Sequence, residues 1–214
     1  MSPTKTAEAW DIIKDYTNSQ GLLIVLSGPG GAGKDTLVRI LKKTYINLHY
    51  VVTVTTRPQR TEEIDWEHYH FVSDKEFDSM IRQDEFLEWV QFFDYRYGTP
   101  KKQVMDAVSS GKDVVLKIET QGAKTLREMI PEAVFVFLTT GSELELRQRL
   151  HQRADLTPER QEKRVAIASD EMKCLPEYDY LIVNSNDTAF IAAEKLKYII
   201  EAEHLRVGRK SIHI

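Results

Sequence analysis

The order of apolar runs and helical periods predicts an α/β chain, a three-layer α/β/α arrangement around a central parallel sheet. Three features of the sequence carry this. Short runs that are apolar at nearly every position recur along the chain, segments of helical period lie between them, and a glycine-rich turn follows the first run directly. A strand apolar on both faces belongs inside a parallel sheet covered by helices.

Taken in order, residues 1–20 read as a polar extension with one helical stretch around 7–16. The first core strand is predicted at 22–26, a run of Leu, Ile and Val bounded by glycines, and further core strands at 114–118, 134–138 and 180–183. Helical periods occupy 37–45, 122–129, 144–152, 159–173 and 189–204. Residues 51–101 break the rhythm, with β-type alternation at 69–72, a short helix near 75–83 and a second β-like run at 86–92. They are read as a small α+β insertion, so that 21–50 and 102–214 make the core. A mobile lid is expected over about 149–164, where Thr157 and Pro158 have the form of an N-cap followed by proline at the first helical position.

Composition narrows the function. A chain of 214 residues suits one α/β core plus an insertion. Its net charge of −4 argues against nucleic acid as a partner, so anionic ligands must meet positive charge concentrated at a site. The single cysteine, Cys174, excludes an internal disulfide and any multi-cysteine metal site. With no secretory signal pattern and no apolar run approaching 18 residues, a cytoplasmic protein without a membrane span is expected.

The glycine-rich turn carries the first chemistry. Gly28, Pro29, Gly30, Gly31, Ala32, Gly33 and Lys34 follow a strand and precede a helix. Glycines let successive backbone N–H groups turn toward phosphate oxygens, the helix N-terminus adds partial positive charge, and Lys34 can reach the β- and γ-phosphates. This is a P-loop, of a kind found in many ATPases and GTPases, and residues 28–36 are the expected contacts to the nucleoside triphosphate. After the lysine the usual Ser or Thr, whose hydroxyl holds Mg²⁺, is replaced by Asp35, with Thr36 next. A carboxylate beside phosphate is repelled by it, so Asp35 is expected to serve Mg²⁺ through a metal-bound water.

The insertion is more discriminating. Its motifs are Thr53-Val-Thr-Thr-Arg57-Pro-Gln-Arg60, Glu63, His68-Tyr69-His70-Phe71-Val72-Ser73, Glu85-Phe-Leu-Glu88-Trp89 and Tyr97-Gly98-Thr99. The core adds Ile118-Glu119-Thr120-Gln121-Gly122, the arginines Arg149, Arg153 and Arg164, and Val183-Asn184. In this order and spacing, from about residue 21 to about 200, the chain resembles guanylate kinase. The resemblance implies a P-loop kinase that moves the γ-phosphoryl of ATP to GMP or dGMP with Mg²⁺. It implies that Glu88, Thr53 and Thr99 read guanine, with Glu63 and Glu119 completing the substrate site. It also implies that Arg149, Arg153 and Arg164 close over ATP, and that Asn184 lies near its adenine.

Elementary chemistry makes the same assignment sensible. A monophosphate carries nearly two charges, which forked donors from Arg57 and Arg60 and the hydroxyls of Tyr69 and Tyr97 can match. Guanine presents two adjacent donors, N1–H and the 2-amino group, and one carboxylate, that of Glu88, can accept both. His68 and His70 are read as structural, because no further ligands complete a metal set. The chain departs from the family at Glu62 and Trp66, where glycines are usual, at Lys117, where an acidic residue is usual, and at Ala154 in the lid. Two other readings remain open at this point. A ribosyl 1,5-bisphosphate phosphokinase also carries Asp after the P-loop lysine, and a non-catalytic guanylate-kinase-like module binds proteins.

Overall fold

The computed structural model describes residues 20–45, 47–152, 157–185 and 188–214. The central sheet has five strands: β1 (Leu23–Ser27), β2 (Leu48–Tyr50), β7 (Asp113–Lys117), β8 (Val134–Thr139) and β9 (Tyr180–Val183), in the order β2-β7-β1-β8-β9. Every pairing in it is parallel.

The pleat sorts its residues into two cores, because successive side chains on a strand point to opposite faces. Ile24, Leu26, Val115, Val136 and Leu138 face helices α1 (Lys34–Thr44) and α7 (Ala189–His204), which contribute Leu37, Leu41, Ala193, Leu196 and Ile200. Leu23, Val25, Val114, Leu116 and Phe135 face α3 (Lys101–Ser109) and α4 (Thr120–Met129), through Val104, Val108, Ala123 and Leu126. The predicted three layers follow directly from strands that are apolar on both faces.

The second sheet holds β3 (Val54–Thr55), β4 (His70–Phe71), β5 (Phe86–Phe92) and β6 (Tyr95–Pro100), in the order β4-β3-β6-β5. Helix α2 (Asp74–Arg82) packs on it by Phe77, against Val54 and Phe86. Ser73 and Glu76 start that helix with a reciprocal capping box, each side chain accepting from the other's backbone N–H.

Several boundaries and elements differ from the expectation. Helix α1 begins at Lys34 and α4 at Thr120, three and two residues earlier than periodicity indicates, since both open on polar residues. Helix α6 (Pro158–Glu171) stops before Lys173 and tightens into a 3₁₀ segment, Met172–Glu177, that contains Pro176. Thr157 caps α6 by accepting from the Arg160 N–H, with Pro158 at the first helical position as the sequence indicates. Strands β2, β3 and β6 and helix α3 were not anticipated. β2 and β3 are two or three residues long, too short for periodicity to register. The expected helix at 7–16 lies outside the described residues. Among the described residues, no helix is long and apolar enough to cross a membrane.

Candidate active site

Four strands of the central sheet deliver site residues from their carboxyl ends, where open parallel sheets bind ligands. β1 leads into the glycine-rich loop, β7 ends at Lys117 two residues before Glu119, and β9 is followed by Asn184. β8 ends at Thr139, whose carbonyl accepts from the Asn184 N–H at 2.7 Å.

The loop depends most tightly on glycine at two points. Gly28 and Gly33 take φ of 133° and 100°. A Cβ on Gly28 would lie 2.0 Å from the Leu138 carbonyl oxygen, and one on Gly33 would lie 2.4 Å from Asn184 Nδ2. Lys34 is buried, and its ammonium donates to the Gly28 carbonyl and, at 3.4 Å, to that of Pro29. Two of the residues assigned to ATP meet beneath the loop. Asn184 Nδ2 and a guanidinium N–H of Arg149 both donate to the Ala32 carbonyl, at 2.7 and 3.1 Å. Arg149 also donates to the Asn184 carbonyl at 2.7 Å, so the two side chains brace the loop as one unit. Among the described residues, Asn184 Oδ1 is left buried without a hydrogen-bond partner.

Carboxylates approach the lysine from two sides. Glu119 lies 3.8 Å from the Lys34 ammonium, and its Oε2 is buried without a hydrogen bond among the described residues. Glu171, at the end of α6, accepts from the Thr120 hydroxyl at 3.2 Å, and burial pushes its carboxyl up to about 7 against the pull of Lys34. Sequence reasoning missed Glu171. It stands among charged residues on a helix, and only the fold turns it inward.

The residues expected to hold the acceptor phosphate stand on β3, β4 and β6 and the loop after β3. Arg57 donates to Glu63 at 2.7 Å and lies over the rings of Tyr69 and Phe71, 5.3 and 5.5 Å from their centroids. Burial alone would lower the Arg57 pKa, but Glu63 outweighs it and holds the guanidinium above its ordinary value. The other Glu63 oxygen accepts from the Arg60 backbone N–H at 2.9 Å. Glu63 therefore acts as a clamp that fixes the Arg57–Arg60 turn. Tyr97 meets Tyr69 edge to face at 6.2 Å, and burial raises the Tyr97 phenol pKa.

The loop that leads to β4 turns at Trp66 in the left-handed region, with φ 63°, where a glycine is usual. The tryptophan offsets that backbone cost by stacking on His70 at 3.8 Å. His68 accepts from the Ile64 N–H, and His70 pairs with Asp65. No cluster of metal-ligating side chains occurs among the described residues.

Glu88 is a strained carboxylate. It is 7% exposed on β5, its Oε1 accepts from the Thr99 hydroxyl at 2.6 Å, and its Oε2 is buried without a partner among the described residues. Burial raises its pKa to about 7, Thr99 restrains the rise, and Glu119 adds to it. Space for it comes from Gly122 in α4, where a Cβ would lie 2.5 Å from Oε2. Thr53 is buried at the start of the same sheet. A preformed acceptor, costly when empty, thus lies between the second sheet and α4.

Asp35 does not stand alone in the first turn of α1. Its carboxylate accepts from the Lys117 ammonium, which also donates to the Tyr69 hydroxyl at 3.1 Å. Burial pulls the Lys117 pKa down, but Tyr69 and Asp35 outweigh it and hold it above the ordinary lysine value. Arg164 lies beside Gly30, one guanidinium nitrogen 3.2 Å from where a Cβ would stand, and 5.2 Å over the Phe93 ring. Arg153 lies outside the described residues.

The family profile described as guanylate kinase matches residues 20–203 of this chain. Guanylate kinase of Desulfitobacterium hafniense is 45% identical over 192 residues, covering 90% of this chain and 95% of that protein. Guanylate kinase of Latilactobacillus sakei is 44% identical over 193 residues, covering 90% and 94%. Among solved structures, guanylate kinase from Anaplasma phagocytophilum superposes with a TM-score of 0.75 at 30% identity, covering 90% of each chain.

Proposed function

The chain belongs to the guanylate kinase family and is an enzyme that phosphorylates GMP, and from that premise we propose how its residues divide the work. Residues 28–33 and Lys34 take the β- and γ-phosphates of ATP, aided by the N-terminus of α1 and by Thr36. Arg149 and Asn184 keep the loop in its receptive shape, and the unpartnered Asn184 oxygen accepts from the amino group of adenine. Arg57, Arg60, Tyr69 and Tyr97 take the phosphate of GMP, with Glu63 holding the arginines ready. Arg153 and Arg164 neutralise charge on the phosphoryl group in transit. No covalent nucleophile is needed, since phosphoryl transfer is carried by alignment and electrostatics.

The reading of guanine rests on one observation, the buried Glu88 with one oxygen unpartnered. That oxygen supplies the acceptor that guanine N1–H and the 2-amino group require, while Thr99 holds the other oxygen and Thr53 serves another polar edge. Adenine offers N1 as an acceptor instead, and would leave a buried carboxylate without a donor. Such a mismatch gives strong rejection.

Hard oxygen donors suited to Mg²⁺ are present in Glu119 Oε2, which has no hydrogen-bond partner, and in the Asp35 carboxylate. Mg²⁺ would be held largely by phosphates and water, with these carboxylates reached through water, and would supply charge neutralisation on the phosphates. With ATP and Mg²⁺, GMP and dGMP are expected to be phosphorylated in a coupled assay, and AMP, CMP and UMP poorly. Equal turnover of AMP and GMP would sink the guanine reading. Turnover of ribose 1,5-bisphosphate without GMP would transfer the chain to the sugar-phosphate reaction.

Arg57→Ala tests the acceptor phosphate site. It removes one charge-assisted fork, so the KM for GMP should rise about 10- to 100-fold while the KM for ATP stays within about threefold. Equal changes in both constants would mean that Arg57 supports the fold rather than the acceptor phosphate.

A further inference from the structure

Lys117 ends β7, in register with Leu26 of β1, so it stands beside the strand that opens the phosphate loop. Its ammonium touches both halves of the site. One donor goes to Asp35 in the first turn of α1, and another goes to the Tyr69 hydroxyl at 3.1 Å, with the nitrogen 4.6 Å from the centre of the Tyr69 ring. Lys34, the lysine of the loop, is directed elsewhere, toward the Gly28 and Pro29 carbonyls and Glu119. The two ammonium groups therefore serve different places.

The simpler reading is a surface ion pair, in which Lys117 does no more than neutralise Asp35. The exposures argue against it. The Asp35 side chain is 81% exposed and well able to be solvated, whereas that of Lys117 is only 20% exposed. An exposed carboxylate gains little from such a pair, while ordering a long side chain in a half-closed position has a cost. A lysine ammonium has three donors, and among the described residues it has two hydrogen-bond partners, Asp35 and Tyr69. One N–H is left over beside a tyrosine that, with Arg57 and Tyr97, forms the proposed acceptor phosphate site.

We propose that Lys117 is a further substrate-contacting residue, whose ammonium donates to the phosphate of the acceptor nucleotide while Asp35 and Tyr69 hold it between the two nucleotide sites. Asp35 is then a positioning residue for Lys117. Its unusual place after Lys34 follows, since a carboxylate there is shielded from incoming phosphate by the ammonium it holds. This rests on the acceptor site proposed above and adds a fixed cation to it.

Equilibrium titration of wild type and Lys117→Met with GMP and with guanosine, both without ATP or metal ion, separates the possibilities. Loss of one charge-assisted hydrogen bond should weaken GMP about 10- to 100-fold. Guanosine, which lacks the phosphate, should bind both proteins within about twofold. Unchanged GMP affinity in a folded variant would overturn the proposal and leave Lys117 as a tie for Asp35. Parallel loss of GMP and guanosine would also overturn it. Should Lys117→Met fail to fold, Lys117→Gln keeps a hydrogen-bonding end without the charge and carries the same expectations. A wild type that binds AMP as well as GMP would refute the base reading at Glu88 without touching Lys117, because the phosphate contact is common to both nucleotides.

Discussion

Glu88→Gln should lower kcat/KM for GMP by about 30- to 1,000-fold, corresponding to about 2–4 kcal/mol of transition-state binding. The amide keeps the shape and can still accept from Thr99, but it turns one accepting oxygen into a donor facing guanine donors. The same substitution should act on stability in the opposite direction. Burial raises the Glu88 carboxyl from its ordinary 4.5 to about 7, so the folded state favours the neutral form. The stability tied to that preference is complete below about pH 4.5 and is lost as the pH rises through about 7. The difference between 4.5 and about 7 sets an upper bound of about 3 kcal/mol. Glutamine never ionises, so the variant should gain on wild type between pH 5 and pH 8. Denaturant midpoints at the two pH values measure this. If GMP kinetics are unchanged, Glu88 does not read the base, and if the stability difference is flat with pH, its carboxyl is not strained by burial.

Lys34→Met should lower kcat about 10²- to 10³-fold, the usual effect of removing one fixed charge from a transition state. Methionine keeps much of the buried stem, so the loss falls on charge rather than packing. Binding of GMP alone should stay within about threefold, because the Lys34 ammonium contacts the loop carbonyls and Glu119 rather than the acceptor residues. The variant also leaves Glu119 and Glu171 without the cation between them. The Glu171 carboxyl, already near 7, should rise further once Lys34 is gone, and stability should fall more at pH 8 than at pH 6. Single-turnover kinetics and a binary GMP titration separate the two effects. A variant that keeps kcat but loses GMP affinity would mean that Lys34 serves the wrong half of the site for a P-loop lysine.

The contrast between Glu88 and Glu171 shows what a sequence can disclose. Both are buried carboxylates pushed up to about 7. Glu88 stands in a motif shared in order and spacing with guanylate kinase, so the resemblance pointed to it. Glu171 lies in Ser-Asp-Glu-Met-Lys at the end of a polar helix and has the look of solvated surface. Nothing local marks it, because its burial comes from α6 packing beside Thr120 and the loop. Arg149 and Asn184 make a related point. The resemblance to guanylate kinase assigned them to the nucleotide, and the structure has them meeting on the Ala32 carbonyl, 117 and 152 residues away in the chain.

What the sequence determined by itself was whatever depends on local order. Continuous apolar runs impose a parallel sheet with two buried faces, glycines at 28 and 33 allow backbone that other residues resist, and Thr157 with Pro158 starts a helix. These are short-range matters of sterics, periodicity and capping. Only the tertiary structure decided which charges meet. Asp35 and Lys117 are 82 residues apart, and Lys117 and Tyr69 are 48 apart. A charge far along the chain leaves no trace in the residues around its partner, since Coulomb attraction and hydrogen bonding act through space. Two departures from the family pattern, an aspartate in the loop and a lysine at the end of β7, looked independent in the sequence and proved in the fold to be one ion pair.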